Sequence, residues 1–86
     1  MKTLSAISGA ILLAVTLASS SLAQSQFPTE QQAQQHCPKD VVVWLNLPTG
    51  IYHMKGERWY GRTKSGAYVC EKEADQAGDR ETHNGQ

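Results

Sequence analysis

Residues 41–54 read Val-Val-Val-Trp-Leu-Asn-Leu-Pro-Thr-Gly-Ile-Tyr-His-Met, and this stretch predicts a β-hairpin. Its first run, Val41 to Leu45, is β-branched and aromatic, which is typical of a central strand buried on both faces. Pro48 fixes φ and Gly50 permits positive φ, so the segment between the two runs favours a turn. The alternating segment over residues 51–54 should therefore pair back antiparallel to the first strand.

The chain after the hairpin predicts one more strand and a short helix. Residues 67–70 are expected to form the third strand, after a connection rich in glycine and aromatic residues. Residues 71–77 predict a helix, because Glu71 and Glu73 suit its positive N-terminal end and Gly78 suits a left-handed C-cap. The predicted fold class is therefore α+β, an antiparallel hairpin or three-stranded sheet with one short C-terminal helix.

The first 23 residues have the pattern of an export signal. Lys2 supplies a positive start, residues 11–18 are apolar, and Ser-Leu-Ala at residues 21–23 places small side chains before a cut at Gln24. The apolar stretch is shorter than the roughly 20 residues of a membrane-spanning helix. We expect a cleaved signal peptide, a mature protein in the periplasm or outside the cell, and no stable membrane insertion after cleavage.

Cys37 and Cys70 are the two cysteines of the chain. In an oxidising compartment such a pair is most simply a disulfide. In the chain-entropy model, closing this loop removes about 3.5–4 kcal/mol of unfolded-state entropy. Free thiols and metal ligands are the alternatives, since His36 and His53 add suitable ligand types, but structural zinc favours close pairs such as Cys-x2-Cys, which the chain lacks. We expect the disulfide, no metal and no cofactor.

Composition sets the expected domain boundaries. Residues 24–35 contain six Gln and one strongly hydrophobic side chain, Phe27, so they predict a flexible leader that is disordered or loosely helical. The folded, disulfide-stapled domain is expected over residues 36–80, with a flexible polar tail over residues 81–86. Without Lys2 the chain has seven basic and eight acidic residues. This balance excludes the global cationic charge of a general nucleic-acid coat protein.

Charge is unevenly distributed within the domain. Residues 50–69 hold four basic residues against one acidic residue, a local charge of +3, whereas residues 70–86 hold five acidic against two basic. Basic groups around aromatic rings can bind phosphates and stack bases. The alternative is that the rings complete a thin core while the cations stay solvated or stack on them. The candidate binding surface consists of Tyr52, Arg58, Trp59, Tyr60, Arg62 and Lys64.

The sequence does not predict an enzyme. Nucleophilic catalysis needs a nucleophile, a base and an orienting acid brought together. Cys70 and His53 could supply the first two, but a disulfide would consume Cys70, and the mature chain is short for a pocket of several hundred Å3. His53 is expected to be a packed or hydrogen-bonding residue of the second strand.

Several blocks of the chain carry a family resemblance. Tyr52-His53 and the block Arg-Trp-Tyr-Gly-x-Thr-Lys at residues 58–64 are similar to motifs of a family of small, uncharacterised exported bacterial proteins. More distantly, the hairpin, the predicted helix and Gly78-x-Arg80 resemble the metal-binding domain of the Ada DNA-repair protein. The zinc cysteines of that domain are not matched, so this resemblance implies a metal-free scaffold held by a disulfide and supplies no activity.

Three functions are left open by the sequence. The leading hypothesis is an exported, non-enzymatic binding or interaction module whose partner is unknown, either a protein or a nucleic acid of the cell envelope. The first alternative is a weak nucleic-acid-binding module in the envelope. The second alternative is a metal-binding protein that uses His53 and reduced cysteines.

Overall fold

The computed structural model describes residues 24–84, so the expected signal peptide over residues 1–23 lies outside the described residues. The chain forms a four-stranded sheet in the order β3-β1-β2-β4. Strand β1 pairs antiparallel with β2 and with β3, whereas β4 pairs parallel with β2. The elements are α1 (Glu30–His36), β1 (Val42–Asn46), β2 (Ile51–His53), β3 (Gly66–Cys70), α2 (Glu71–Gln76) and β4 (Arg80–Glu81).

This architecture confirms the predicted α+β class, with its antiparallel hairpin and its short helix near the C-terminus. The sheet has one strand more than predicted, because Arg80 donates its backbone N–H to Gly50 and so begins β4 beside β2. Among residues 24–84 no helix has the length and apolar character needed to cross a bilayer.

The hairpin turn forms through backbone and side-chain hydrogen bonds to one residue. The carbonyl oxygen of Asn46 accepts from the backbone N–H of Gly50 at 3.0 Å, and its side-chain amide donates to Thr49 Oγ1 at 2.9 Å. Gly50 has a φ of +71°, a conformation that side chains with a Cβ rarely adopt. The turn places Trp44 opposite His53 and Leu45 opposite Tyr52 across the hairpin.

One face of the sheet holds the main hydrophobic core. Because side chains alternate along a strand, every second residue of β1, β2 and β3 points to this face. Val43 and Val69 are paired across the sheet and are both fully buried. Helix α2 closes the face with Ala74. The core consists of Val43, Leu45, Tyr52, Ala67, Val69 and Ala74, with Met54 packed against it.

The opposite face is covered by the connection between β2 and β3, residues 54–65, which we call the covering loop. The Trp44 indole N–H donates to Thr63 Oγ1 at 2.7 Å, and the Tyr60 ring lies 5.6 Å from the ring of Tyr68. Trp44 and Tyr68 themselves meet edge to face at 4.9 Å. Gly66 is needed here, because a Cβ at this position would overlap the Trp44 indole.

The disulfide between Cys37 and Cys70 is present, as predicted. It joins the residue that follows α1 to the last residue of β3, directly before α2 begins. Cys70 is 1% exposed. The bridge therefore connects the N-terminal helix to the sheet and to the start of the second helix.

The structure corrects the expected flexible leader and the domain start at residue 36. Phe27 exchanges two backbone hydrogen bonds of 2.9 Å with Tyr68, and Thr29 caps α1 by accepting from the backbone N–H of Gln32. Ala33 of α1 is fully buried. Composition alone missed this order because it comes from backbone pairing, one small buried side chain and the disulfide rather than from large apolar residues.

The boundary at the other end also differs from the prediction. Glu81 belongs to β4, and the backbone N–H of Thr82 donates to the Tyr52 carbonyl oxygen at 3.0 Å. The first two residues of the expected flexible tail, residues 81–86, therefore continue the sheet edge. Gly85 and Gln86 lie outside the described residues.

Candidate basic cleft

A cleft of about 450 Å3 lies between the outer face of β2 and the covering loop, so the expectation that the chain is too short for a pocket of several hundred Å3 was wrong. Alternation in β2 turns Ile51 and His53 towards this cleft, while Tyr52 turns to the core. The covering loop supplies the opposite wall, and Thr82 and Asn84 close one side. We call this site the basic cleft and define it by Ile51, His53, Trp59, Arg62, Thr63 and Lys64.

The lining of the cleft is positively charged. Arg62 and Lys64 contribute two cations, and no Asp or Glu among residues 24–84 lines the cleft. Within residues 24–84 the ion pairs are His36–Glu73 and Lys55–Glu30, neither of which involves the cleft. Both cations are exposed at an open cleft, so the local charge is complementary to an anion.

His53 is the most buried polar residue of the site. It is 7% exposed, and its Nδ1 atom is buried without a hydrogen-bond partner among the described residues. A buried ring N–H without an acceptor is more costly than a buried lone pair, which favours the tautomer with its hydrogen on Nε2. In that tautomer His53 is a hydrogen-bond donor through Nε2.

Trp59 provides the main aromatic surface of the cleft. Trp59 is 38% exposed, so part of its indole surface is open to a ligand. The Arg58 guanidinium carbon lies 5.1 Å from the centroid of the Trp59 ring, in cation–π geometry. Arg58 therefore shields part of the indole and adds a third cation beside the cleft.

Tyr60 anchors the covering loop rather than lining the cleft. Its hydroxyl donates to Glu30 Oε1 of α1 at 3.0 Å, and its ring packs against Tyr68. Burial and then the hydrogen bond to Glu30 raise the pKa of Tyr60 well above its ordinary value. Hydrogen bonds from Lys55 and from Tyr60 lower the pKa of Glu30.

The structure separates Tyr52 from the rest of the predicted surface. Tyr52 is 3% exposed on the core side of the sheet, and its hydroxyl contacts Asp75 Oδ1 at 2.7 Å and Glu71 Oε2 at 3.0 Å. Burial and these two carboxylates raise the pKa of Tyr52 above its ordinary range. Its place in the candidate surface is therefore corrected, because alternation in β2 points it away from the cleft.

Of the six predicted surface residues, the structure brings three into the cleft, namely Trp59, Arg62 and Lys64. Arg58 lies beside them on the indole. Sequence reasoning missed Ile51, His53 and Thr63 as cleft residues. Side chains alternate along β2, and this alternation could have grouped Ile51 with His53. Thr63 could not have been found in this way, because its hydrogen bond with Trp44 has no local signal in the sequence.

The second alternative, metal binding through His53 and the cysteines, does not match the geometry. His53 lies in the basic cleft, whereas the cysteines join α1 to the end of β3. The described residues do bring one other set of ligand types together, His36, Cys70 and Glu73.

Comparison with known proteins finds no matching family model, no matching curated protein and no matching solved structure. The family resemblance described above therefore stays a prediction. What the fold and site define is a small disulfide-bonded α+β domain with a basic cleft.

Proposed function

We propose that this protein is an exported, non-enzymatic binding module that holds an anionic ligand in the basic cleft. The observation that carries the proposal is that Arg62 and Lys64 line a concave site without any acidic residue and without ion-pair partners among residues 24–84. Exposed ion pairs such as Lys55–Glu30 add only about 0–1 kcal/mol, so leaving Arg62 and Lys64 without ion pairs costs the fold little and keeps both charges available to a ligand.

The chemistry of the walls indicates which anion fits. Trp59 and Ile51 offer apolar surface, and the two cations and His53 offer hydrogen-bond donors. Small-molecule sites combine a mostly apolar lining with a few polar groups that fix orientation. The best-fitting ligand is a carboxylate or phosphate joined to a planar apolar group. Each charge-assisted hydrogen bond contributes about 1.5–3 kcal/mol, less where water reaches it.

We propose a non-enzymatic role because of the side chains that line the cleft. No carboxylate lines it that could act with His53 as an acid–base pair. Both cysteines are held in the disulfide. Glu57 is the acidic residue of the covering loop. Its carboxylate accepts a hydrogen bond of 2.7 Å from the backbone N–H of Met54.

Nucleic-acid binding is the second candidate, and a specific observation favours it. Arg58 and Arg62 also line a smaller depression of about 350 Å3 beside Tyr60, so the cations extend beyond the cleft, although Glu57 lines this depression with them. Binding of single strands, however, relies on successive exposed aromatic faces for base stacking. Here Tyr60 is bonded to Glu30 and Trp59 is partly covered by Arg58. The compact ligand is therefore preferred.

Export is part of the same proposal. The disulfide is compatible with an oxidising compartment, and the first 23 residues carry the export pattern. In the periplasm or outside the cell, a domain of this size can keep its bridge and present the cleft to small anions or to the acidic part of a partner.

An NMR titration with four matched probes tests the function. Benzoate and phenyl phosphate carry the anion, benzyl alcohol is neutral and benzylammonium is cationic, all on the same ring. We expect the two anions to shift the signals of Trp59, His53 and Arg62, with binding that weakens as salt rises. The neutral and cationic probes should bind at least about ten-fold more weakly, a difference of 1.4 kcal/mol.

A matched pair of double variants gives the control. Arg62→Ala with Lys64→Ala should abolish anion binding, whereas Lys39→Ala with Lys72→Ala removes the same charge outside the cleft and should leave it unchanged. Equal binding by both variants, or equal binding of all four probes, would overturn the proposal. A short single-stranded oligonucleotide that binds far more tightly than phenyl phosphate would favour the second candidate instead.

A further inference from the structure

A second cluster of chemically active side chains lies at the disulfide and shares no residue with the basic cleft. The ligand atoms of His36, Cys70 and Glu73 all lie within 4.8 Å of one another. His36 Nε2 is 2.8 Å from Glu73 Oε2. Cys37 would be a fourth ligand, a second sulfur, because its sulfur is bonded to that of Cys70.

The fold holds these groups in fixed orientations. The backbone N–H of Ser25 donates to Glu73 Oε1 at 3.2 Å, which leaves Oε2 directed at His36. The Phe27 ring packs against the His36 ring at a centroid distance of 5.2 Å. Such outer contacts orient ligands in metal sites, and their loss typically weakens metal binding 10–100-fold.

The donor set matches the preferences of zinc once the sulfurs are free. Tetrahedral zinc takes thiolate, imidazole and carboxylate ligands at about 2.0–2.3 Å, which sets neighbouring ligand atoms about 3.3–3.8 Å apart. The ligand atoms of His36, Cys70 and Glu73 would therefore have to move by no more than about 1–1.5 Å relative to one another. In the oxidised protein the sulfurs carry no charge and are bonded to each other, so the two strongest ligands are missing.

The geometry points to a zinc site that forms when the Cys37–Cys70 disulfide is reduced. A dithiol reductant would donate two electrons and two protons to the S–S bond and would itself become a disulfide. Zn²⁺ would then displace the two thiol protons and bind Cys37, Cys70, His36 and Glu73. Two thiolates and one carboxylate against one Zn²⁺ leave a net charge of −1 at the site.

Replacing the disulfide with a zinc ion would keep the same two parts of the fold connected. The disulfide joins the end of α1 to the junction of β3 and α2. The zinc ion would join the same two points, because His36 and Cys37 come from the first and Cys70 and Glu73 from the second. We therefore expect zinc to restore the stability that reduction removes, since ligand binding to the native state stabilises it.

Cobalt and zinc titrations of the reduced protein test this inference. With a phosphine reductant present, one Co²⁺ per chain should bind and show the visible bands of tetrahedral thiolate coordination, and Zn²⁺ should displace it. The oxidised protein should show neither. Zn²⁺ should also return the melting temperature of the reduced protein towards that of the oxidised protein, or restore its β-sheet circular dichroism if reduction unfolds it.

Variants distinguish the four-ligand site from binding by thiols alone. His36→Ala and Glu73→Gln should each weaken Zn²⁺ binding by more than about ten-fold. Their matched controls, His83→Ala and Glu81→Gln, remove the same groups at exposed positions and should bind as the parent does. The inference is overturned if the reduced protein binds no cobalt, if the oxidised protein binds it equally, or if His36→Ala and Glu73→Gln bind like the parent. None of these outcomes bears on anion binding in the cleft.

Discussion

Cleaving the disulfide is the perturbation with the most calculable effect on stability. The bridged residues are 33 positions apart. With that loop length, the chain-entropy relation gives about 3.7 kcal/mol of lost stability at 25 °C. This corresponds to roughly a 500-fold shift of the folding equilibrium towards the unfolded state. The core of a domain this small rarely supplies more than about 3–5 kcal/mol, so without metal the reduced protein should lose a large share of its total stability.

The reduced parent protein is a cleaner sample than a serine variant. Cys70 is 1% exposed, so a serine there would bury a hydroxyl and add its own cost of about 1–3 kcal/mol. Reduction keeps both sulfur atoms and breaks the covalent bond between them. The comparison should therefore be made on one preparation, with and without a phosphine reductant, and with a chelator to exclude zinc.

Urea unfolding followed by tryptophan fluorescence gives the measurement, since Trp44 is 9% exposed and changes environment on unfolding. A small domain loses about 1 kcal/mol per molar urea, so the midpoint should fall by roughly 3–4 M. A loss below about 1 kcal/mol would refute the reasoning, because the unfolded chain would then not be restricted by the bridge. A Cys37→Ser, Cys70→Ser variant should lose at least as much stability as the reduced parent.

The remaining predictions concern steric fit, pH and processing. Gly66→Ala should cost about 1–3 kcal/mol in urea unfolding because its Cβ would overlap the Trp44 indole, whereas the exposed Ser65→Ala should change little. Because the folded-state pKa of Tyr60 lies above its unfolded value of about 10, its contribution to stability is complete below pH 10 and is lost as the pH rises further. Tyr60→Phe should therefore flatten the alkaline loss seen in thermal melts, and an unchanged profile would contradict this assignment. Glu30 has a lowered pKa, so its contribution should be present above pH 4.5 and lost as the pH falls below that value. N-terminal sequencing of the secreted or periplasmic protein should begin at Gln24, and an intact Met1 would contradict signal cleavage.

The parts of the fold that could be predicted are those with a local signal. The hairpin follows from the alternation of β2 and from the turn residues before it, and α2 follows from its acidic first turn. Helix α1 has seven residues with one buried side chain, Ala33, so it has almost no amphipathic pattern. Its order depends on partners far along the chain, Tyr68 and Cys70, and composition cannot show such contacts.

The prediction of the candidate site relied on residues that lie close together in the sequence. This explains why it was correct for some residues and wrong for Tyr52. Arg62 and Lys64 lie close in sequence to Trp59 and also share the cleft with it. Tyr52 was grouped with them for its residue type, although the two-residue period of its strand sends it to α2. The same period sends His53 to the cleft, so strand alternation would have been the better criterion for both residues.

The contrast among the basic residues of the covering loop is the strongest reason to regard the cleft as functional. Three side-chain hydrogen bonds order the loop: the first, from the Met54 backbone N–H to Glu57, lies within the loop, and the other two join it to the rest of the domain, Tyr60 to Glu30 of α1 and the Trp44 indole to Thr63. Lys55, at one end, is neutralised by Glu30.

Arg62 and Lys64 flank the third anchor, so the backbone that carries them is fixed while their charges lack ion-pair partners within residues 24–84. Positioning two cations in this way saves much of the ordering entropy that an anion would otherwise have to overcome on binding. Breaking the anchor should therefore weaken binding even with both cations present. Thr63→Val removes the hydroxyl that the indole N–H needs and keeps the side-chain volume. We expect it to reduce benzoate affinity in the NMR titration, whereas Thr49→Val, at another threonine that lines the cleft but does not bind the indole, should reduce affinity less. Equal affinity of Thr63→Val and the parent would show that the cations act without the anchor.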